Sequence, residues 1–309
     1  MQPSFLSKLT EKIKHFLDSN QEEQAPPSSA DAETALPEEN PIAQTETIFG
    51  AVVSDVGCVR SNNEDNYILG ATINFSSADR STASVRFSQT LGKWYFAGVF
   101  DGMGGGEMGE VASKDTAEIF WETTARLEAT ASKEMVDRCV RNAFLQANNR
   151  IVDLQKEHQI FGTTGTVLCC NDTEFKFYHL GDSRAYLVRD HQLSQLTKDQ
   201  TLAQMKLEVG MYQEDDPAAE ADKHKLTEYI GRDWTRENLK PVESLWMPFE
   251  SGDFILLCSD GLYDMCTSEE ITAVLQSGKP LMDTVTSLVE KARSKGGEDN
   301  ITCILMEHT

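Results

Sequence analysis

Acidic residues stand at the ends of apolar runs throughout this chain. WYFAGVF (94–100) leads into Asp101-Gly102, and FILLCS (254–259) leads into Asp260-Gly261. The run Phe175 to Leu180 meets Gly181-Asp182, Glu298-Asp299-Asn300 immediately precedes ITCILM (301–306), and Glu64-Asp65 stands just ahead of a further short run. Any one Asp-Gly pair is an ordinary turn. A carboxylate that ends a buried strand, however, lies half desolvated at the rim of a sheet, and several gathered at one rim repel each other strongly unless a cation neutralises them. The seven cysteines include no CxxC pair, and the six histidines (His15, His158, His179, His191, His224 and His308) are scattered. Oxygen ligands alone suit hard divalent ions, magnesium or manganese. An acidic cluster large enough for two ions implies a bridging water made nucleophilic near neutral pH, and the chemistry that fits is attack on phosphorus.

The elements that must position these acids read as strands, then helices, then strands again. Ala51 to Val56, Asn66 to Leu69 and Trp94 to Phe100 are strand-like, as are Gly165 to Cys170, Phe175 to Leu180, Ala185 to Arg189, Phe254 to Cys258 and Ile301 to Met306. Two helical stretches follow residue 100; in the second, Val136, Val140, Ala143, Phe144, Ala147, Ile151 and Leu154 keep helical spacing. Further helices are expected near 200–210, 268–276 and 281–294. Locally joined strands with helices grouped rather than alternating predict an α+β fold with an antiparallel sheet. Residues 71–93, Ser/Thr-rich and without a clear period, fit either an extended hairpin or a surface insert.

The chain has 309 residues, about twice the ~150-residue prior for one domain. Its hydrophobic (39%) and charged (25%) fractions are those of soluble globular proteins, which excludes collagen-like, wholly disordered and disulfide-scaffold classes. With 28 Lys+Arg against 50 Asp+Glu, the net charge of −22 makes the chain a poor partner for nucleic acid or anionic lipid. No apolar run approaches the ~20 residues of a transmembrane helix. Lys8 and Lys12 precede no continuous apolar segment, so no secretory signal is expected, and the unpaired cysteines fit a reduced, cytoplasmic protein. Residues 1–17 form an amphipathic helix by pattern, with Phe5, Leu6, Leu9, Ile13, Phe16 and Leu17 on one face, suited to docking a partner. Residues 18–48 hold eight acids, four prolines and no Lys or Arg, the composition of a disordered linker. The folded domain is expected over 49–309.

Five segments together carry a resemblance. SDVGCVRSNNEDNY, FAGVFDGMGGGEMGE, FGTTGTVLCC with HLGDSRAYLV, LLCSDGLYDM and GGEDNITCILM occur in the order found in metal-dependent serine/threonine protein phosphatases of the PPM type (type 2C), in their bacterial-like single-domain form. The likeness spans roughly residues 50–306. It implies a central antiparallel β-sandwich flanked by helices on both faces, four layers in all. The implied activity is hydrolysis of phosphoserine and phosphothreonine in proteins, reversing a serine/threonine kinase. Its implied partners are phosphorylated proteins, among them such a kinase or its substrates, and its family default is a monomer. The implied cofactors are two manganese or magnesium ions. By resemblance, Asp101 bridges both ions, Glu64 and the Gly102 carbonyl complete one, and Asp260 and Asp299 hold the other with Asp101. Asp65 orients a water without ligating a metal. Asp182 belongs to a further, weaker metal site shared with Asp260 and sometimes a residue of the flap. Arg60 grips the substrate phosphate, a task suited to a planar two-pronged guanidinium.

The chain departs from some relatives at Met103, where a histidine has been proposed to protonate the leaving oxygen. A thioether has no proton to give, so the general acid must be a water on the metal or a group not identified, and Met103 is expected to pack. None of the six histidines matches a catalytic position of the family, and His179 is expected in the core or at the rim. Around residues 197–225 the flap ends in Glu214, Asp215, Asp216, Glu220 and Asp222, either a solvated loop or a surface that favours basic phosphopeptides. No CxxxxxR loop or DxD is present for a cysteine- or aspartate-nucleophile phosphatase. The competing reading is a catalytically inactive phosphatase fold used as a regulatory binding module. It conflicts with the presence of Glu64, Asp101, Asp260, Asp299 and Arg60 together.

Overall fold

The computed structural model describes residues 47–74, 80–87, 93–104, 108–155, 160–213, 216–233 and 239–309. The helix expected over 5–17 and the linker expected after it, up to residue 46, lie outside the described residues. Strand β1 (Ile48–Asp55) begins at Ile48, and Thr47 exchanges backbone hydrogen bonds with Thr309.

Because side chains alternate across a strand, a strand buried on both faces must be apolar at every position. That is the pattern of β1 from Ile48 to Val53, ahead of its polar end Ser54-Asp55: Ile48 and Val52 enter one core, Ala51 and Val53 another. β13 (Phe254–Cys258) and β14 (Ile301–His308) divide in the same way, with Ile255, Leu257, Ile304 and Met306 on one side and Leu256, Cys258, Cys303 and Leu305 on the other. In β5 (Tyr95–Met103), Ala97 and Val99 share the first core while Phe96 and Phe100 enter a third. The uninterrupted apolar runs are therefore strands with one face on another sheet and one on helices.

The strands form two antiparallel sheets. The first has the order β10-β9-β13-β14-β1-β4, with β9 (Arg184–Arg189), β10 (Gln192–Gln195) and β4 (Arg80–Phe87). The second follows β11-β8-β7-β5-β2-β3, with β2 (Asp65–Leu69), β3 (Thr72–Ile73), β7 (Gly165–Cys170), β8 (Glu174–Leu180) and β11 (Val242–Glu243). The short β6 (Gly162–Thr163) pairs with β5, and β12 (Met247–Pro248) with β8. Helices α1 (Met108–Ala125) and α2 (Lys133–Gln155) cover the second sheet, where Phe120 packs edge-on to Phe144 at 4.8 Å between ring centroids. Helices α5 (Ser268–Leu275) and α6 (Leu281–Ser294) cover the first through Ile271, Val285, Leu288, Val289 and Ala292. The result is the expected four-layer α-β-β-α sandwich, and the expected helix near 200–210 is α3 (Leu202–Glu208). A one-turn helix α4 (Asp260–Tyr263) follows β13.

Residues 71–93 are neither of the two expected alternatives. β3 is an edge strand of the second sheet and β4 an edge strand of the first, so the segment passes from one sheet to the other. Its weak period has a physical cause: along residues 80–85 positions alternate between exposed and half-buried, and only Ala83 and Val85 reach the core. Among the described residues, no helix is long and apolar enough to cross a membrane.

Candidate active site

The acids meet where the two sheets end together. Register pairs Asp65 of β2 directly with Asp101 of β5. The backbone of Asp101 is clamped by the Thr163-Thr164 pair: its N–H donates to Thr164 Oγ1 (3.0 Å), and its carbonyl accepts from Thr163 Oγ1 (2.8 Å) and the Thr164 N–H (2.8 Å). Glu64 precedes β2. Its N–H donates to Asn300 Oδ1 (2.8 Å), while its carbonyl accepts from the Gly102 N–H (3.2 Å) and the Ser113 hydroxyl (2.5 Å). The Glu64 carboxylate lies against α1: a Cβ on Gly109 would stand 2.2 Å from Oε2 and push that carboxylate aside.

From the other sheet, Asp260 opens α4, and Ser259 before it is locked to Thr302 by reciprocal bonds of 3.0 and 2.9 Å. The same Ser259 hydroxyl donates to Asp65 Oδ2 (2.8 Å), tying the two sheets together beneath the acids. Asp299 precedes β14 and accepts from Arg60 Nη2 at 2.7 Å. Asp182 sits in the β8–β9 turn, where Gly181 takes φ +106° against Thr164. Behind that turn, the Tyr263 hydroxyl donates to the Asp182 carbonyl (3.1 Å). Its ring is covered by the Arg184 guanidinium at 3.5 Å, which in turn forks onto Asp199 (2.9 and 2.6 Å).

These groups line a cleft of about 560 Å³. Arg60, Glu64, Asp101, Gly102, Asp182, Asp260 and Asp299 all border it. Asp65 does not: it lies wholly buried beneath. Met103 also borders the cleft and is half-buried. His179 is fully buried in β8, with its Nε2–H donating to the Lys198 carbonyl (3.2 Å), and burial lowers its pKa to about 4. Asp222 belongs to no solvated acidic face. It is buried in a pair of ion contacts with Lys206 and Lys225, and the hydrogen bond from Lys206 leads in holding its carboxyl well below the usual range. Glu214 and Asp215 lie outside the described residues.

Two contributors went unnoticed in the sequence. Asn300 is the clamp of the Arg60–Glu64 loop, its Nδ2 donating to the carbonyls of Val56 (3.0 Å) and Asn62 (2.9 Å) while Oδ1 holds the Glu64 N–H. His224, half-exposed on the flap, places Nδ1 3.2 Å from Asp260 Oδ2 and Nε2 3.4 Å from Asp264 Oδ2. Its hydrogen bond with Asp260 pushes its pKa up to about 9. The only sequence signal for either was proximity to a motif, the DN pair for Asn300 and the flap for His224.

The electrostatics call for cations. Burial lifts Glu64 to about 7 and Asp65 to about 7, and burial followed by neighbouring acids lifts Asp101 and Asp182 well above the carboxylate range. Asp299 is raised as well, by burial and then Asp260. Asp65 Oδ1 and Asp260 Oδ1 are buried with no hydrogen-bond partner in the described structure. Such oxygen-rich, uncompensated charge fits divalent ions. The sign of the resulting pH dependence follows. Folded-state pKa values raised above the unfolded ones stabilise the metal-free protein below about pH 4, and that stabilisation is lost as pH rises through about 7. Thermal melts of the full chain with and without manganese are expected to show a metal-induced rise in Tm that grows from pH 5 to pH 8. A constant difference would contradict this account.

With this geometry in place, the comparisons are direct. A family model for protein phosphatase 2C matches residues 53–206. The serine/threonine phosphatase stp of Listeria monocytogenes is 31% identical over 258 residues, covering 82% of this chain and 93% of that protein. The solved serine/threonine phosphatase of S. agalactiae superposes with a TM-score of 0.72 at 25% identity, covering 84% of this chain and 99% of that one. The catalytic domain of the serine/threonine protein phosphatase PstP, solved in complex with two manganese ions, gives a TM-score of 0.66 at 28% identity, covering 86% of this chain and all of that one. On these likenesses, and on the acids converging at the end of its two sheets, the chain belongs to the protein phosphatase 2C family.

Proposed function

We propose that this protein hydrolyses phosphoserine and phosphothreonine esters in proteins at a centre of two divalent ions, manganese or magnesium. The observation that carries the reading is the convergence in one cleft of Glu64, Asp101, Asp182, Asp260 and Asp299 with Arg60 at its edge. The names of the relatives, serine/threonine phosphatases, and the two manganese ions of PstP support it. Glu64, Asp101, Asp260 and Asp299, with the Gly102 carbonyl, would hold the pair of ions, and Asp182 with Asp260 a weaker third. When bound, such ions supply a water activated for attack on phosphorus and draw charge from the phosphoryl oxygens.

The chain's own residues do the rest. Arg60, more than half exposed at its side chain, presents a two-pronged donor to phosphate oxygens, and its bond to Asp299 holds the guanidinium at the cleft edge in advance. Asp65, fixed by the Ser259 hydroxyl and paired in register with Asp101, would orient a water in the cleft above it. Asn300 and Ser113 hold the Glu64 backbone, so its carboxylate stays at the rim. Among the described residues, no cysteine borders the cleft, and Cys169, Cys258 and Cys303 are buried, with burial pushing all three up.

In this reading residues 49–309 are the catalytic domain, residues 1–17 dock a partner, and 18–48 tether them. The protein acts as a monomer in the cytoplasm, against the products of a serine/threonine kinase. The deciding experiment is phosphate release from a phosphothreonine peptide by the full chain, titrated with manganese and magnesium. Metal-dependent turnover is expected, with Asp260→Asn reduced on the order of a thousandfold. Absence of turnover in folded protein at every metal concentration would establish the inactive binding module instead.

A further inference from the structure

The segment Gly296-Gly297-Glu298-Asp299-Asn300 joins α6 to β14, and its two glycines set its path. Both take positive φ (+134° and +53°), and their N–H groups donate to the carbonyls of Arg293 and Ala292 (3.1 Å each), closing the end of α6. The Gly297 carbonyl then accepts from the Cys58 N–H (2.7 Å). On the other side, the Asn300 N–H donates to Asp299 Oδ1 (2.8 Å), and the Asn300 side chain holds the carbonyls of Val56 and Asn62. Glu298 therefore stands on backbone fixed at both ends, one residue from the carboxylate that holds Arg60. It is exposed, and it borders the cleft together with Met265.

The basic residues around this segment are already engaged. Lys291 and Lys295 pair with Glu270 (3.3 and 2.7 Å), Arg293 with Asp55, and Arg60 with Asp299 (2.7 Å). The other cleft acids have partners or roles as well. Glu64, Asp101, Asp182, Asp260 and Asp299 are the proposed metal ligands, and Asp264 is held by Lys223 at 2.7 Å. Among the described residues, Glu298 is the cleft carboxylate with neither a cation of the protein nor a role toward the ions. Beside it is a notch. The point where a Cβ on Gly296 would stand is 3.5 Å from Glu298 Cγ, 3.8 Å from Glu298 Oε1 and 3.6 Å from Met265 Sδ. A thioether on one wall and a carboxylate on the other suit a lysine or arginine, whose stem lies along apolar surface while its head stays charged.

We infer that Glu298 and Met265 form a subsite at the cleft rim for a basic side chain of the substrate, an arginine or lysine flanking the phosphoresidue. The inference rests on the proposed activity and adds to it a determinant of specificity. Glu298 is not among the residues that would hold the ions, so its charge still faces the peptide when they are bound. The same short segment sets Asp299 against Arg60 and Glu298 against the notch, so phosphate and basic side chain are recognised by adjacent residues. An exposed carboxylate contributes modestly to affinity and in a salt-sensitive way, which sets the scale of the expected preference at a few-fold.

The test uses the full chain with manganese and phosphothreonine peptides that carry arginine, alanine or glutamate at one flanking position, moved in turn along both sides of the phosphoresidue. At one position or more, wild-type kcat/KM is expected to be about 5-fold higher with arginine than with alanine, and lower still with glutamate, chiefly through KM. Glu298→Gln is expected to bring the arginine-to-alanine ratio within about 2-fold, and Glu298→Lys to favour glutamate over arginine. The wild-type ratio should also shrink at high salt, where exposed charges are screened. Inversion by Glu298→Lys is a result that a merely structural role would not give. An arginine preference of the same size in Glu298→Gln overturns the inference and moves its origin to the acids of the flap. A wild type indifferent to flanking charge at every position overturns it as well. Failure of the proposed activity is a separate result, seen as no phosphate release from any peptide. Fluorescence anisotropy of the same peptides, labelled, then reads the preference as affinities, and an arginine preference equal in wild type and Glu298→Gln again overturns the inference.

Discussion

Asp101→Asn is expected to cut turnover severely and, in the absence of metal, to melt higher than the wild type. Asp101 lies at the rim, paired in register with buried Asp65, and Asp65, Asp260, Asp182 and Asp299 all raise its pKa after burial has done so. Without cations these carboxylates repel each other through a poorly hydrated space. An amide of the same shape removes one charge from the cluster while retaining the backbone bonds to Thr163 and Thr164, which the side chain does not make. The expected gain is about 1–2 kcal/mol at pH 8, the scale at which relief of a strained functional site trades against activity. For a domain of this size that corresponds to a Tm about 2–8 °C higher. Phosphate release should fall on the order of a thousandfold, because the amide cannot neutralise two cations. Calorimetry of metal-free protein alongside the phosphopeptide assay checks both halves. A metal-free Asp101→Asn that melts lower than the wild type would show that the acids are not in conflict.

Asn300→Ala carries the second large effect, on a residue that touches no substrate. Its side chain makes three hydrogen bonds that hold the Val56–Glu64 loop against the start of β14. Removing it strands the Glu64 N–H and two carbonyls in a partly buried place, at a cost of about 2–3 kcal/mol. It also frees the loop that carries both Arg60 and Glu64, so kcat/KM should fall about 10–100-fold. Manganese affinity should fall with it if Glu64 is the ligand released, as proposed. Asn300→Asp sharpens the test: it keeps an acceptor for the Glu64 N–H but sets a carboxylate against the Val56 and Asn62 carbonyls, so it is expected to be the worse of the two. Denaturant melts and metal titrations separate the contributions. Wild-type kinetics in Asn300→Ala would remove the loop from the account.

Much of this architecture was legible in the residues. Runs such as WYFAGVF and FILLC carry no charged residue because each strand is buried on both faces, and that pattern names a core strand without any knowledge of its partners. The acids that follow these runs were legible for a related reason: a strand that leaves the core ends at a rim, so a carboxylate there is placed by its own neighbours in sequence. α6 was equally plain, since Val285, Leu288, Val289 and Ala292 repeat at helical spacing. Residues 71–93 were not. β3 and β4 are edge strands of different sheets, half solvated, and their pairing with β2 and β1 depends on partners that no local pattern encodes.

His224 is the clearest case of the other kind. It lies 36 residues from Asp260, on a segment with no apolar period, and only its place in the flap separates it from the other histidines. His179 sits beside a family motif and is a buried structural residue, while His224 lies away from every quoted strand motif and faces the acids. Asp222 likewise read as one more acid of a charged loop, and its two lysines make it an internal pin of the flap. The amino-acid order by itself determined the layers, the strands and the carboxylates at their ends, because burial is written into each residue and its immediate neighbours. Only the tertiary structure decided which groups face those carboxylates across the cleft, because that depends on how the flap is fastened, by Gln200 to Gly181 19 residues away and by Lys206 to Asp222 16 residues away.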